Sequence, residues 1–408
     1  MADDLIIVGG GPAGMMAGLL FARAGCEVRV IEKHADFFRD FRGDTVHPST
    51  MEILDQLGLL DDFLRRPHTR VTTARIRIDG RDWTIGDLAH LDTPAPFIAM
   101  MPQWDFLDFL RDAAVEYPTF RLTMSDPVSD FIEEKGRIVG VRTVRGEEFR
   151  AGRLVIAADG RSSLVRQRDM LPVEQLGAPM DVLWFKLPKQ DDGGDALRGS
   201  VQPGRMVVLI DRDDYWQAAF LIPKGAEAEV RSRGLAWLRD EIGQAFPDMT
   251  FEGDLFPKSQ DEVKLLSVAL DRLTNWSRPG LLAIGDAAHA MSPIGGIGIN
   301  LAIQDAVAAA NALAGPIARG EDTDSLLHKV QGRRLMPTRL IQSGQKTAQE
   351  RIIGRVLGGG PVTVPGFVKL LDRFPLLRRI PGRIIGLGFR RERVRSPMSP
   401  SRPRGSSG

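Results

Sequence analysis

The stretch that decides the fold lies near the start of the chain: Leu5-Ile6-Ile7-Val8-Gly9-Gly10-Gly11-Pro12-Ala13-Gly14. Four consecutive apolar residues read as a strand, the glycines as a turn, and Pro12 to about Ala24 as a helix closed by Gly25; a second strand follows over Val28 to Ile31. This is a β-α-β unit. Gly9, Gly11 and Gly14 keep the G-x-G-x-x-G spacing. In such a turn the first glycine permits the tight bend, the second lets a pyrophosphate approach the backbone, and the third lets helix pack on strand. The helix start then presents unpaired N–H groups to the phosphates. Glu32 follows Gly14 by 18 residues, near the roughly 20-residue offset of an acid that accepts hydrogen bonds from a ribose.

A glycine turn alone is a weak signal, and this spacing does not separate NAD from FAD. Two later segments add to it. Leu154 to Ala157 is an apolar run suited to a strand buried on both sides, and it enters Ala158-Asp159-Gly160-Arg161-Ser162-Ser163-Leu164-Val165-Arg166. Leu281 to Ile284 is another short apolar strand; it enters Gly285-Asp286, followed by Pro293, Gly295-Gly296, Gly298 and Asn300 ahead of a long Ala-rich helix from about Ile299. In order and spacing, these segments and the N-terminal turn resemble the three motifs of the class A flavoprotein monooxygenases, the p-hydroxybenzoate hydroxylase family, from residue 3 to about 320.

The resemblance implies an α/β fold in which a Rossmann-type, glutathione reductase-like FAD-binding domain (1–72, 98–178 and 265–320) is interleaved with a mostly antiparallel substrate sheet (73–97 and 179–264). C-terminal helices (321–396) and a disordered tail (397–408) complete it. It also implies a cofactor site. Gly9, Gly11, Pro12, Ala13 and Gly14 would form the pyrophosphate turn, and Glu32, beside Lys33, would hold the adenosine ribose. Arg42 would reach the pyrophosphate, Gln103 the ribityl region and Val128 the adenine, while Asp159 would serve FAD and a transient nicotinamide. Asp286 at a strand's carboxyl end faces the crevice of an open sheet and suits ribityl hydroxyls. Pro293, Gly296, Gly298, Ile299 and Asn300 would border the flavin, where loop amides and the helix dipole stabilise negative charge.

His47, in the loop where the family chain passes the flavin, is a catalytic candidate with Pro293: acid, base or substrate anchor, or alternatively a cap of the helix that opens at Pro48. His289 reads as structural, and Cys26 as a small buried residue. The implied reaction uses NADPH or NADH to reduce FAD, then O2 to form a flavin C4a-hydroperoxide that hydroxylates an aromatic or quinone-like substrate. An FAD-linked reductase or dehydrogenase is the alternative on the same fold. The W-x-W-x-I-P signature of flavin halogenases is absent.

Elsewhere, Ser49-Thr50-Met51-Glu52 matches a capping box. Asp79-Gly80 marks a hairpin, Met180 to Pro223 holds several strands, and Ala226 to Ala245 reads as one helix. With only two tyrosines in the chain, a tyrosine proton relay is doubtful. The stripe Val207, Leu209, Trp216, Ala218 and Phe220 is expected to line a pocket for a larger, apolar molecule. Phe367 to Arg395 mixes apolar residues with arginines, which suits a cover over that pocket, peripheral contact with anionic lipid or, equally, a solvated helical appendage.

Composition narrows the partners. The 408 residues carry a formal charge of +1, which disfavours nucleic acid. A lone cysteine excludes internal disulfides and fits a reducing cytoplasm, and the six histidines show no zinc spacing, so no metal site is expected. The acidic start, Met1-Ala2-Asp3-Asp4, does not read as a signal peptide, and the run Ala306 to Ala318 is too short to span a bilayer. A monomer or homodimer acting on a small molecule and O2 is expected.

Overall fold

The computed structural model describes residues 3–38, 45–78, 80–189, 197–212, 214–251, 253, 255–360 and 362–399. Its centre is a parallel sheet in which Leu281–Ala283, Glu148–Ala157, Asp3–Val8, Val28–Ile31 and Phe120–Thr123 lie side by side in that order. These strands are apolar without alternation because both faces are covered: Leu5, Ile6, Ile7 and the whole of Leu154–Ala157 are fully buried. Each such aliphatic side chain contributes about 1.5–3 kcal/mol when removed from water. On one face the helices Pro12–Arg23 and Gly298–Ala318 pack against each other. The segment Ile294–Ala318 is long and apolar enough to cross a membrane, yet 72% of its most apolar window is buried inside the protein, as befits a core helix.

Strand Glu148–Ala157 does two jobs. Its second half pairs in parallel with Asp3–Val8, while its first half pairs antiparallel with Arg137–Thr143, which pairs in turn with Val128–Glu134. A separate seven-stranded sheet runs Lys264–Leu266, Met180–Pro188, Tyr215–Pro223, Arg205–Asp211, Leu197–Gln202, Thr73–Ile78 and Arg81–Asp87. All its pairings are antiparallel except that between Leu197–Gln202 and Thr73–Ile78.

Three local expectations are corrected. The Ser49 capping box does not form, because Pro48 itself takes the first helical position with His47 as N-cap; a proline needs no N–H there. Ser49 lies inside that helix, and Glu52 pairs with Arg391 (3.0 Å) and Arg393 (3.6 Å) instead. The helix expected from Ala226 to Ala245 is two, Glu227–Ser232 and Gly234–Ala245, broken where Gly234 adopts φ +81°. Finally, Pro397 to Ser399 is largely exposed but anchored: the Ser399 amide donates to the Arg23 carbonyl (2.9 Å), and the Arg23 guanidinium donates to the Ser396 carbonyl (3.3 Å) just before it.

The apolar stripe is the fourth correction. Val207, Leu209, Trp216, Ala218 and Phe220 line no pocket; with Phe185 and Leu187 they form a closed core against Leu238, Ile242, Ala245 and Phe246 of the helical side. Strand registers put Trp184, Val208, Gln217, Ala219 and Gly199 on the opposite face. Both faces of these strands are largely apolar, so alternation along the sequence did not say which one meets the cofactor domain.

Candidate active site

Asp3–Val8, Glu148–Ala157 and Leu281–Ala283 end side by side, and each strand runs directly into one of the three motifs. The turns touch. Gly9, at φ +104°, is pressed so closely on the second turn that a Cβ there would lie 2.5 Å from the Ala158 carbonyl oxygen. Gly285, at φ +60°, would bring a Cβ to 3.0 Å from the Ala13 methyl. Gly14 faces the Gly9 carbonyl with no room for a side chain. Gly11 differs from all of these, since nothing lies within 4 Å of where its Cβ would be. The first and third glycines of the fingerprint are therefore required by packing, whereas the second leaves open space beside the backbone.

That space adjoins the start of helix Pro12–Arg23, whose first turn has neither a side-chain cap nor an acidic residue. Helix Gly298–Ala318 begins in the same way. Uncapped helix starts leave N–H groups and a positive dipole end for an anionic ligand. Glu32 is buried beside the first turn, its Oε2 accepting from the Gly10 amide (2.8 Å) and its Oε1 from the His34 amide (3.1 Å). Lys33 is exposed next to it. The Asp126 amide donates to the Glu32 carbonyl (3.1 Å), which brings Val128 close to this end of the site. Arg42 lies outside the described residues.

The other motifs hold one another. Asp159 Oδ2 accepts from the Leu164 amide (2.8 Å). Burial pushes its carboxyl above the usual range, opposed by Ser163, the Leu164 amide and Lys33. Arg161 Nε donates to Asp286 Oδ2 (3.1 Å), while Arg166 bonds the Ala287 carbonyl (2.9 Å) and pairs with Asp271 (2.6 Å). The second motif thus aims the third. Pro293 opens the glycine loop, its carbonyl accepting from the Gly296 amide (3.0 Å), and Gly298 and Ile299 begin the following helix. Gln103 opens helix Gln103–Val115, three residues beyond Met100, which pairs with Thr45. Thr45 Oγ1 donates in turn to the Gly296 carbonyl (2.7 Å).

Asn300 works differently from a simple flavin ligand. Its Oδ1 accepts from the His47 amide (2.9 Å) and the Thr50 hydroxyl (2.7 Å), and its Nδ2 donates to the Thr45 carbonyl (3.2 Å). Its side chain locks the His47 loop to the glycine loop, which leaves only its backbone for a cofactor. His47 is fully buried, with Nδ1 2.7 Å from the Ile385 carbonyl. Because a carbonyl only accepts, Nδ1 carries the proton and Nε2 presents a lone pair; Nε2 has no partner among the described residues. Burial pushes the ring's pKa down to about 4, the Ile385 hydrogen bond opposing it. His47 does occupy the N-cap position of the Pro48 helix, but it caps through its backbone carbonyl, and its side chain makes no cap hydrogen bond.

Several supporting residues escaped sequence reasoning. Asp305, fully buried, accepts from the Gly285 amide (3.1 Å), pairs with Arg334 (2.8 Å) and contacts His289 Nε2 (2.6 Å). Burial alone would raise its carboxyl, but His289 and Arg334 outweigh this and hold it below the usual range. Gln345 grips the glycine loop through the Ser292 and Ile294 carbonyls, both at 3.0 Å. A lone carboxylate inside the Ala-rich run Ala302 to Ala310 was the available signal for Asp305. Gln345 gave none, since its partners are backbone groups far away in the chain.

The FAD binding domain family matches residues 3–343, nearly all of the elements just described. The chain belongs to this family, among the class A flavoprotein monooxygenases. This flavoprotein is 32% identical to 6-methylpretetramide 4-monooxygenase of Streptomyces rimosus over 97% of the chain and 94% of that protein. It is 26% identical to para-nitrophenol 4-monooxygenase of a Pseudomonas species over 79% and 81%. The solved structure of p-nitrophenol 4-monooxygenase from Pseudomonas putida superimposes with a TM-score of 0.73 at 20% identity, covering 95% of each chain. The monooxygenase is thus an FAD-dependent enzyme of the aromatic-hydroxylase type, and the open space over Gly11, the Glu32 carboxylate and the two uncapped helix starts fit a dinucleotide of that kind.

Proposed function

We propose that this monooxygenase takes reducing equivalents from NADPH or NADH and inserts one oxygen atom of O2 into an apolar, multi-ring phenolic or quinone-like substrate. The substrate would lie between the glycine loop and the inner face of the seven-stranded sheet. The observation that carries this reading is the composition of that face. Trp184, Met206, Val208, Val182 and Leu221 cluster with Ile294 of the glycine loop, and small residues, Gly199 and Ala219, sit between the larger ones. Within this apolar surface two buried N–H donors have no partner among the described residues, Trp184 Nε1 and Gln217 Nε2. Arg212 Nε donates to Gln217 Oε1 (2.9 Å), which turns the amide so that its nitrogen is the unused end. Burying an unmet donor costs about 1–3 kcal/mol, so a substrate oxygen placed there would be recognised strongly.

Bound FAD would supply hydride acceptance and the activation of dioxygen. Glu32, the Gly11 turn and Asp286 would hold it, and the glycine loop would place it. The rest is positioning by the chain. His47 Nε2 suits a hydrogen bond from a substrate hydroxyl. It does not suit full proton removal: a phenol with a pKa near 10 is about 6 units above this imidazole, roughly 8 kcal/mol uphill. The Streptomyces rimosus relative is named for oxygenating 6-methylpretetramide, which supports an oxygen-inserting reaction on an organic substrate.

The test is NAD(P)H consumption by the FAD-loaded protein over a panel of phenols of increasing ring number, with product mass measured under isotopically labelled dioxygen. Incorporation of one labelled atom into a multi-ring product supports the reading. Turnover without incorporation would support the reductase or dehydrogenase alternative.

A further inference from the structure

We infer that the C-terminal helical hairpin is a docking surface for an anionic lipid membrane. This rests on the hairpin alone and not on the substrate reading above. Helices Gly366–Arg373 and Arg379–Leu387 pack on the edge strand Arg81–Asp87 of the seven-stranded sheet. Their inward faces are small or well packed: Gly382 is against the Asp87 backbone, and Val368, Leu371, Gly386 and Leu387 are buried. Their outward faces and the turn Phe374 to Arg378 between them are also apolar, which an ordinary surface helix avoids. Phe367, Leu370, Phe374, Leu376, Ile380 and Ile384 are 55%, 48%, 50%, 71%, 58% and 37% exposed. These are six of the 14 exposed large apolar side chains among the described residues, gathered between positions 367 and 384.

Charge selects the partner. Lys369, Arg373, Arg379 and Arg383 are exposed on the same two helices. The only acidic residue from 366 to 387, Asp372, is held by Arg81 (2.9 Å) and Arg378 (3.3 Å), so it does not neutralise them. Large apolar side chains among unneutralised cations are the arrangement that inserts shallowly into headgroups and attracts anionic lipid. A second copy of this chain docking face to face would bring like charges together, which opposes that occupant. The surface also adjoins the interior: Ile385 follows outward-facing Ile384 and anchors His47, and Leu387 enters the apolar cluster with Leu88, Ile98 and Met100.

The experiment is flotation of the FAD-loaded full chain with vesicles of phosphatidylcholine, with and without phosphatidylglycerol, at low and high salt. The chain is expected to float with phosphatidylglycerol vesicles and to be released by salt. Arg379→Gln and Arg383→Gln should each lower partitioning roughly fivefold. Phe374→Ser combined with Leu376→Ser should lower it at least tenfold while the protein keeps its FAD and its melting temperature, which separates lost docking from lost folding. Failure of the unaltered chain to float, or equal flotation with neutral vesicles and at high salt, would overturn the inference. So would a concentration-dependent dimer in light scattering that Phe374→Ser with Leu376→Ser abolishes.

Discussion

The two large sheets of this monooxygenase carry function in opposite ways. The parallel sheet is buried on both faces, and its three motifs lie where its strands stop: Gly9 to Gly14, Ala158 to Gly160 and Gly285-Asp286 meet at neighbouring carboxyl ends. The seven-stranded sheet is also apolar on both faces, but there it is one face that turns toward the glycine loop. Trp184 and Gln217 lie on that side, while Trp216 and Phe220 are in the core behind. Function at strand ends is written in turn residues with restricted conformations. Function on a strand face depends on which way a period-2 pattern points, and two apolar faces look alike in sequence.

The turns at the strand ends depend most on the buried groups that hold them together. Asp305→Ala removes the hydrogen-bonded carboxylate from buried Arg334, leaving it only the longer contact with Glu392 (3.6 Å), and frees the Gly285 amide, so about 3 kcal/mol of stability is lost in denaturant unfolding. A loss below 1 kcal/mol would show that the strand ends do not depend on this support.

His47 offers the next largest effect, this one controlled by pH. Its pKa in the folded chain, about 4, is below the unfolded value near 6.5, so the unfolded state binds the proton more readily between those values. The stability associated with the neutral ring is complete above pH 6.5 and is lost as pH falls toward 4, by about 3 kcal/mol in total. His47→Gln should remove that component from a stability-against-pH curve, and an unchanged curve would refute the assignment.

Gly11 and Gly9 sharpen the distinction between packing and ligand within a single turn. Gly11→Ala meets nothing in the chain, so the protein without cofactor keeps its melting temperature while FAD affinity falls roughly 100-fold, about 2.7 kcal/mol. Gly9→Ala lowers both, because its Cβ strikes the Ala158 carbonyl. Equal behaviour of the two variants would contradict the separate roles.

The smallest effect compares the two faces of the seven-stranded sheet directly. Trp184→Phe removes a buried N–H from the inner face and raises KM roughly fivefold, consistent with one hydrogen bond of about 1 kcal/mol. Trp216→Phe, in the core behind, lowers stability and leaves KM alone. Substrate-saturation curves and thermal melts on both variants check the pair.

Legibility followed the same division. That Glu32, Asp159, Asp286 and the fingerprint glycines sit in turns at strand ends was legible because strand, turn and helix signals bracket them within a few residues. Asn300 could be picked out as part of the glycine loop, but its side-chain partners could not, since its amide joins two loops more than 250 positions apart and that partnership leaves no local trace. Trp184, Gln217 and Gln345 were not picked out at all.

The amino-acid order by itself determined the β-α-β units, the turn chemistry and hence the flavoprotein family, because backbone conformations such as Gly9 at φ +104° admit few residues and are announced by them. Which sheet face looks inward, which histidine nitrogen is unpaired and which apolar helix surface stays uncovered were decided only by tertiary structure. Those properties belong to pairs of distant segments, and burial and hydrogen-bond satisfaction are settled when the segments meet.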